Sequence, residues 1–132
     1  MKIGKLSLLM IVSLVFFMNC KSDDDSNQTE TLNGTWNLKK VYGGFAATSN
    51  YEIGDVKWTF NVTENTVIIE NNIMTLTEPD SGTYDYRIEP NGEIQTLFIN
   101  NIERGDIIIL SHKYLKLDFD SEADGFFTEL EK

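Results

Sequence analysis

The sequence predicts an all-β fold, a small up-and-down antiparallel β-barrel of about eight strands. Three observations predict it. Apolar and polar residues alternate with a period of two along most of residues 32–132, as half-buried strands require. Short polar breaks rich in Gly, Asn, Asp and Ser separate the runs at hairpin spacing. Eight such runs in about 100 residues leave no room for the crossover helices of a parallel sheet, and no run has a convincing helical period.

The first run, 36–42, sets Trp36, Leu38 and Tyr42 on the apolar face against Asn37 and Lys39. A long connection follows at 43–54, carrying Gly43, Gly44, Phe45, Ala46, Ala47 and Tyr51, and it is long enough to fold over a barrel mouth. In 56–62, Val56, Trp58, Phe60 and Val62 oppose Lys57, Thr59 and Asn61, and Glu64-Asn65 turns the chain into a shorter run at 67–70. Tyr84, Tyr86 and Ile88 alternate with Asp85, Arg87 and Glu89; Pro90-Asn91-Gly92 then breaks to the apolar run 94–100. Arg104-Gly105-Asp106 reads as the next hairpin tip, leading into 107–110, and Ser111-His112-Lys113 as the one after. Leu115, Leu117 and Phe119 oppose Lys116, Asp118 and Asp120, a polar break spans 120–125, and 126–131 supplies the closing strand.

Ahead of the barrel, Lys2 and Lys5 precede an apolar run at 6–18 that is too short to span a bilayer, the pattern of a secretory signal. Cys20 ends that pattern and is the only Cys, which rules out an intramolecular disulfide. Phe17-Met18-Asn19-Cys20 resembles the lipobox of bacterial lipoproteins, which implies that Cys20 becomes the acylated first residue, carrying palmitate-type chains. Lys21-Ser22-Asp23-Asp24-Asp25 resembles the surface-export signal of Bacteroidota lipoproteins, which implies an outer-membrane protein facing the cell exterior, with the periplasmic face as the alternative. By composition alone, the same residues and those up to Glu30 make a solvated, self-repelling tether. The expected organisation is therefore a signal peptide at 1–19, a lipidated tether at 20–31 and a barrel at 32–132. Removing Lys2 and Lys5 with the signal takes the formal charge from −10 to −12, which opposes nucleic acid and anionic headgroups, so membrane attachment rests on the lipid.

Leu32-Asn33-Gly34-Thr35-Trp36-Asn37-Leu38 resembles the Gly-x-Trp signature that opens the first strand of lipocalins. The layout of 32–132 is similar to that of the small lipocalin-like (calycin) lipoproteins of Bacteroidota, with Trp58-Thr59-Phe60, Gly82-Thr83-Tyr84-Asp85-Tyr86 and Tyr114-Leu115-Lys116-Leu117 as later landmarks. The resemblance implies a barrel with Gly34 and Trp36 at its closed end. Lipocalins proper cover this Trp with an Arg from near the last strand; here no Arg follows Arg104, and the length is nearer that of fatty-acid-binding proteins. The family's ligand pocket therefore does not transfer residue by residue.

An eight-stranded barrel is just wide enough to be filled by side chains or to hold one small ligand. Alternation places Trp58, Phe60, Tyr84, Tyr86, Phe98, Leu117, Phe119 and Phe126 inside. Two readings follow: noncovalent capture of a small apolar molecule against Trp58, Phe60, Tyr84, Tyr86, Phe98 and Phe119, with 43–54 controlling entry, or a filled barrel acting as a surface interaction module. Tyr84 and Tyr86 are the stronger ligand candidates, because a buried phenol needs a hydrogen-bond partner. Oligomeric state is left open. Enzymatic activity is not expected, since the single His112 sits in a turn, Cys20 is an anchor, and Asp118 and Asp120 share a face opposite Leu117 and Phe119. No cofactor is implied. Asp120, Glu122 and Asp124 with Gly125 and Glu131 match the acidic spacing of a calcium loop, but the strand-like flanks read as an acidic hairpin turn instead. Arg104-Gly105-Asp106 is the integrin-type tripeptide, equally explained as a Gly turn between charged neighbours.

Overall fold

A computed structural model of the protein describes residues 32–132; the expectations for the signal peptide, Cys20 and the tether lie outside the described residues. Nine strands form one antiparallel sheet: β1 (Gly34–Gly43), β2 (Ala46–Asn50), β3 (Val56–Asn61), β4 (Thr66–Asn71), β5 (Gly82–Asn91), β6 (Ile94–Ile99), β7 (Ile102–Leu110), β8 (Tyr114–Phe119) and β9 (Phe126–Glu131). Pairing runs from β1 through β3 and then in chain order to β9, and β9 returns to β1 to close an eight-stranded barrel. All eight expected strands are present. Among the described residues, the ring of hydrogen bonds closes within 32–132 around one buried core, the two features a folding unit needs.

The ninth strand, β2, lies where a mouth loop was expected. Its sequence, Ala-Ala-Thr-Ser-Asn, has no large apolar residue, so alternation did not reveal it. One edge of β1 is shared: Gly34 to Asn37 pair with β3, whereas Lys40 to Gly43 pair with β2. Gly44 makes the hairpin possible, because its φ is +58° and a Cβ there would collide with the Asp124 carbonyl. The second long connection is the loop 72–81 between β4 and β5.

The expected hairpin tip at Arg104-Gly105-Asp106 is instead the interior of β7, where Gly105 pairs with Leu97, and Asp106 pairs with Thr96 and accepts its hydroxyl. The reversal falls at Asn100 and Asn101, whose φ values of 53° and 61° suit the short polar side chains that tolerate left-handed backbone. The tripeptide is therefore not displayed on a tip.

The core contains Trp36, Leu38, Trp58, Phe60, Leu97, Ile99, Leu115, Leu117 and Leu130, each no more than 2% exposed. A bulge between Leu38 and Lys40 in the β1–β9 pair resets the alternation, bringing Val41 inward and Tyr42 outward, contrary to the expected placement of Tyr42. On the outer wall Tyr42 donates to Glu129 Oε1 at 2.7 Å, and its ring lies 5.3 Å from that of Phe127. At one end of the barrel, Trp36 Nε1 donates to the Leu32 carbonyl at 2.7 Å and the Lys132 ammonium sits 4.6 Å from the indole centroid. A Lys from the end of the last strand thus stands over Trp36, with the aliphatic stem and charge suited to an aromatic face.

Candidate functional site

The opposite end is the open one. The β1–β2, β6–β7 and β8–β9 turns and the loop 72–81 gather there, as antiparallel connectivity dictates. Asn71 organises the loop: its Nδ2 donates to the Thr75 and Pro79 carbonyls at 2.9 and 3.2 Å, its Oδ1 accepts from Thr75 N at 3.0 Å, and its own amide donates to Ser81 Oγ at 2.8 Å. Asn72 fastens the loop to the β2–β3 connection through Gly54 O and Asp55 O, and Thr77 Oγ1 lies 3.3 Å from the Tyr51 hydroxyl.

This well-bonded loop has inverted polarity. Met74 is 84% exposed and Leu76 100%, whereas Glu78 is 8% exposed and points inward. Phe45 at the β1–β2 tip, 92% exposed, and Ile53 beside the loop extend the apolar surface.

Beneath the loop Glu78 meets Trp58 from β3 and Arg104 from β7. Glu103 pairs with the outward-facing Phe98, so its neighbour Arg104 turns into the barrel. Burial pushes the Glu78 carboxyl from its ordinary 4.5 up to about 7, and the Arg104 charge and the Trp58 indole N–H offset only part of that effect. Burial likewise lowers the Arg104 guanidinium, against the opposing influence of Glu78 and Tyr84. Trp58 approaches closely enough to favour the ionised carboxylate but closes no bond of standard geometry. Trp58 Nε1, Glu78 Oε2 and Arg104 Nε are all buried atoms without a hydrogen-bond partner among the described residues. Arg104 takes part in none of the ion pairs formed there.

The expected ligand residues divide. Trp58, Phe60 and Tyr86 are core residues joined by edge-to-face contacts of 6.2 and 5.0 Å between ring centroids. Burial raises the Tyr86 hydroxyl, whose oxygen also lacks a partner. Tyr84 is half-buried and donates to the Asp80 carbonyl at 2.9 Å. Phe119 lies at the open rim with its ring 5.3 Å from Phe126. Phe98 corrects the expectation: it faces outward beneath the Arg87 guanidinium, 4.2 Å away, while Leu97 and Ile99 fill the interior. Apolar residues on both faces of β6 left its parity unreadable.

The calcium spacing is not assembled. Asp120 and Asp124 flank the short 3-10 turn Ser121–Ala123, but Glu131 sits at the far end of β9, about 17 Å along the strand, paired with Lys39. Asp118 bonds Ser121 N and Oγ at 3.0 and 2.8 Å and stabilises the turn. Among the described residues no three His, Cys, Asp or Glu side chains gather to hold a metal.

Two of the concavities at the open end touch the loop 72–81. One, about 100 Å³, is bounded by Val41, Gly43, Ala47, Ser49, Thr77 and Phe126. The other, about 170 Å³, is a cleft bounded by Pro79, Asp80, Tyr84, Ile99, Ile102 and Arg104. Sequence reasoning missed Glu78 altogether and placed Arg104 on a tip, because neither residue carries a local signal of burial. Fold and site define a closed antiparallel barrel, plugged by Trp36 at one end and covered by a polarity-inverted loop at the other. Comparison with family models, curated proteins and solved structures finds no match to this chain.

Proposed function

We propose that this protein is an outer-membrane lipoprotein, anchored through acylated Cys20 and facing the cell exterior, whose lipocalin-like barrel acts by binding a protein partner at its open end. The single observation that carries the binding role is the loop 72–81, which turns Glu78 inward and Met74 and Leu76 outward. Isolated exposed apolar residues are ordinary, but four or five grouped on loop tips around one barrel end form the kind of surface that partners cover. Exposed acids ring them, Glu52, Asp80, Glu122 and Asp124, so the surface suits a segment combining apolar and basic side chains. Leu32, the first described residue, accepts from Trp36 at the closed end.

Capture of an apolar molecule inside the barrel has less support. Trp36, Trp58, Phe60 and Leu117, each no more than 2% exposed, occupy the interior of a barrel that is just wide enough to be filled by side chains.

Two experiments test the proposal. Cys20→Ala should release the protein from membranes; continued membrane association refutes the anchor. A basic amphipathic Lys/Leu peptide should bind residues 26–132 and fail to bind the triple variant Phe45→Ser, Met74→Ser, Leu76→Ser. Equal binding by the two proteins, or none by the parent, refutes the open-end surface.

A further inference from the structure

The cleft beside Arg104 has a chemistry of its own. Its walls are largely apolar, from Pro79, Ile99, Ile102 and the Tyr84 ring, and its volume of about 170 Å³ admits only a short molecule. Arg104 lines it with a guanidinium that makes no ion pair within 4 Å among the described residues and whose buried Nε–H has no acceptor there. A planar five-donor fork so placed matches the two oxygens of a carboxylate better than any neutral group. Asp80, the acid on the same cleft, is exposed at its outer lip, where water screens it.

We propose that this cleft is a binding site for a small monocarboxylate with a short apolar body, its carboxylate held by Arg104 and its chain packed against Pro79, Ile99 and Ile102. Phosphate is the poorer match, since it would bring a second negative charge into a chain of net charge −10 and find no use for the apolar walls.

Glu78 couples the site to pH. The groups facing it are Arg104 from β7 and the Trp58 indole from β3, with Tyr84 of β5 acting through Arg104 and Asp80 farther along its own loop. Below about pH 7 the Glu78 carboxyl is protonated and leaves the Arg104 charge to the ligand; above it, the ionised carboxylate competes for Arg104 and repels the anion. The single His112 lies in the β7–β8 turn, at the other end of the barrel.

The test is titration of residues 26–132 with hexanoate, hexanol and hexylamine, followed by calorimetry and by amide NMR shifts. Hexanoate should bind at least about tenfold tighter than either neutral or cationic analogue at pH 6, a margin that one charge-assisted contact supplies. Its affinity should fall roughly threefold or more by pH 8, with the largest shifts at Ile99 to Arg104 and at Asp80. Arg104→Gln should abolish the preference for hexanoate over hexanol, and Arg104→Lys, which keeps the charge without the fork, should retain part of it. No hexanoate binding, equal affinity for the three probes, shifts centred elsewhere, or an undiminished preference in Arg104→Gln would each overturn the assignment. The hexanol comparison needs no variant, so the outcome does not depend on Arg104→Gln folding.

Discussion

The buried carboxyl of Glu78 should make the barrel less stable as pH rises through a defined window. In the unfolded chain this group titrates near its ordinary 4.5; in the folded protein burial lifts it to about 7. An acid that holds its proton more tightly when folded stabilises the fold fully below the unfolded value, and that contribution is lost as pH climbs toward the folded value. The gap from 4.5 to about 7, at about 1.36 kcal/mol per unit, corresponds to a loss of about 3 kcal/mol between those pH values. Glu129, on the outer wall, acts below the window: burial alone would raise it, but the Tyr42 and Tyr114 hydroxyls and the Lys116 and Lys40 charges together hold it low. Glu78→Gln keeps the shape and removes the titration. Its stability should be flat where the parent's declines, and above pH 7 it should exceed the parent by up to about 3 kcal/mol, roughly 12 °C or more in Tm for a domain of this size. Urea unfolding from pH 4.5 to 8.5, followed by the fluorescence of Trp36 and Trp58, measures both curves. A parent curve that is flat from 4.5 to 7, or a variant that keeps the parent's slope, would refute the buried placement of Glu78.

Two further variants probe the frame. Trp36→Ala removes a side chain with no exposed surface, its bond to the Leu32 carbonyl and the seat of the Lys132 ammonium, and should cost about 3–5 kcal/mol by urea unfolding; a loss below about 1 kcal/mol would contradict its role as the plug. Gly105→Ala places a Cβ 2.6 Å from the Asp118 carbonyl oxygen at a φ of +127°, so thermal melts should show a loss of about 2 kcal/mol or more, and a neutral outcome would refute the β7–β8 register.

Much of the fold was legible because half-buried antiparallel strands write their alternation into the sequence. The runs around Trp58, Tyr84 and Leu117 became β3, β5 and β8 with the expected residues inside. Reading failed where the local signal was absent or shared. β2 has only small and polar residues; β6 is apolar on both faces, which hid the outward turn of Phe98; and the bulge near Lys39 moved Tyr42 outside by a register change that no residue type announces. Arg104-Gly105-Asp106 reads as a turn in isolation, but the neighbouring Asn100-Asn101 accommodates the left-handed backbone better and takes the reversal.

The sequence by itself determined an antiparallel all-β fold and its approximate strands, because both depend on residues near one another in the chain. Only the tertiary structure decided that Trp58, Phe60 and Tyr86 pack together inside the barrel, that the loop 72–81 faces its apolar residues outward, and that Glu78, Trp58 and Arg104 meet. The three come from a loop and two strands separated by as much as 46 positions, and burial of an acid is a property of what closes over it.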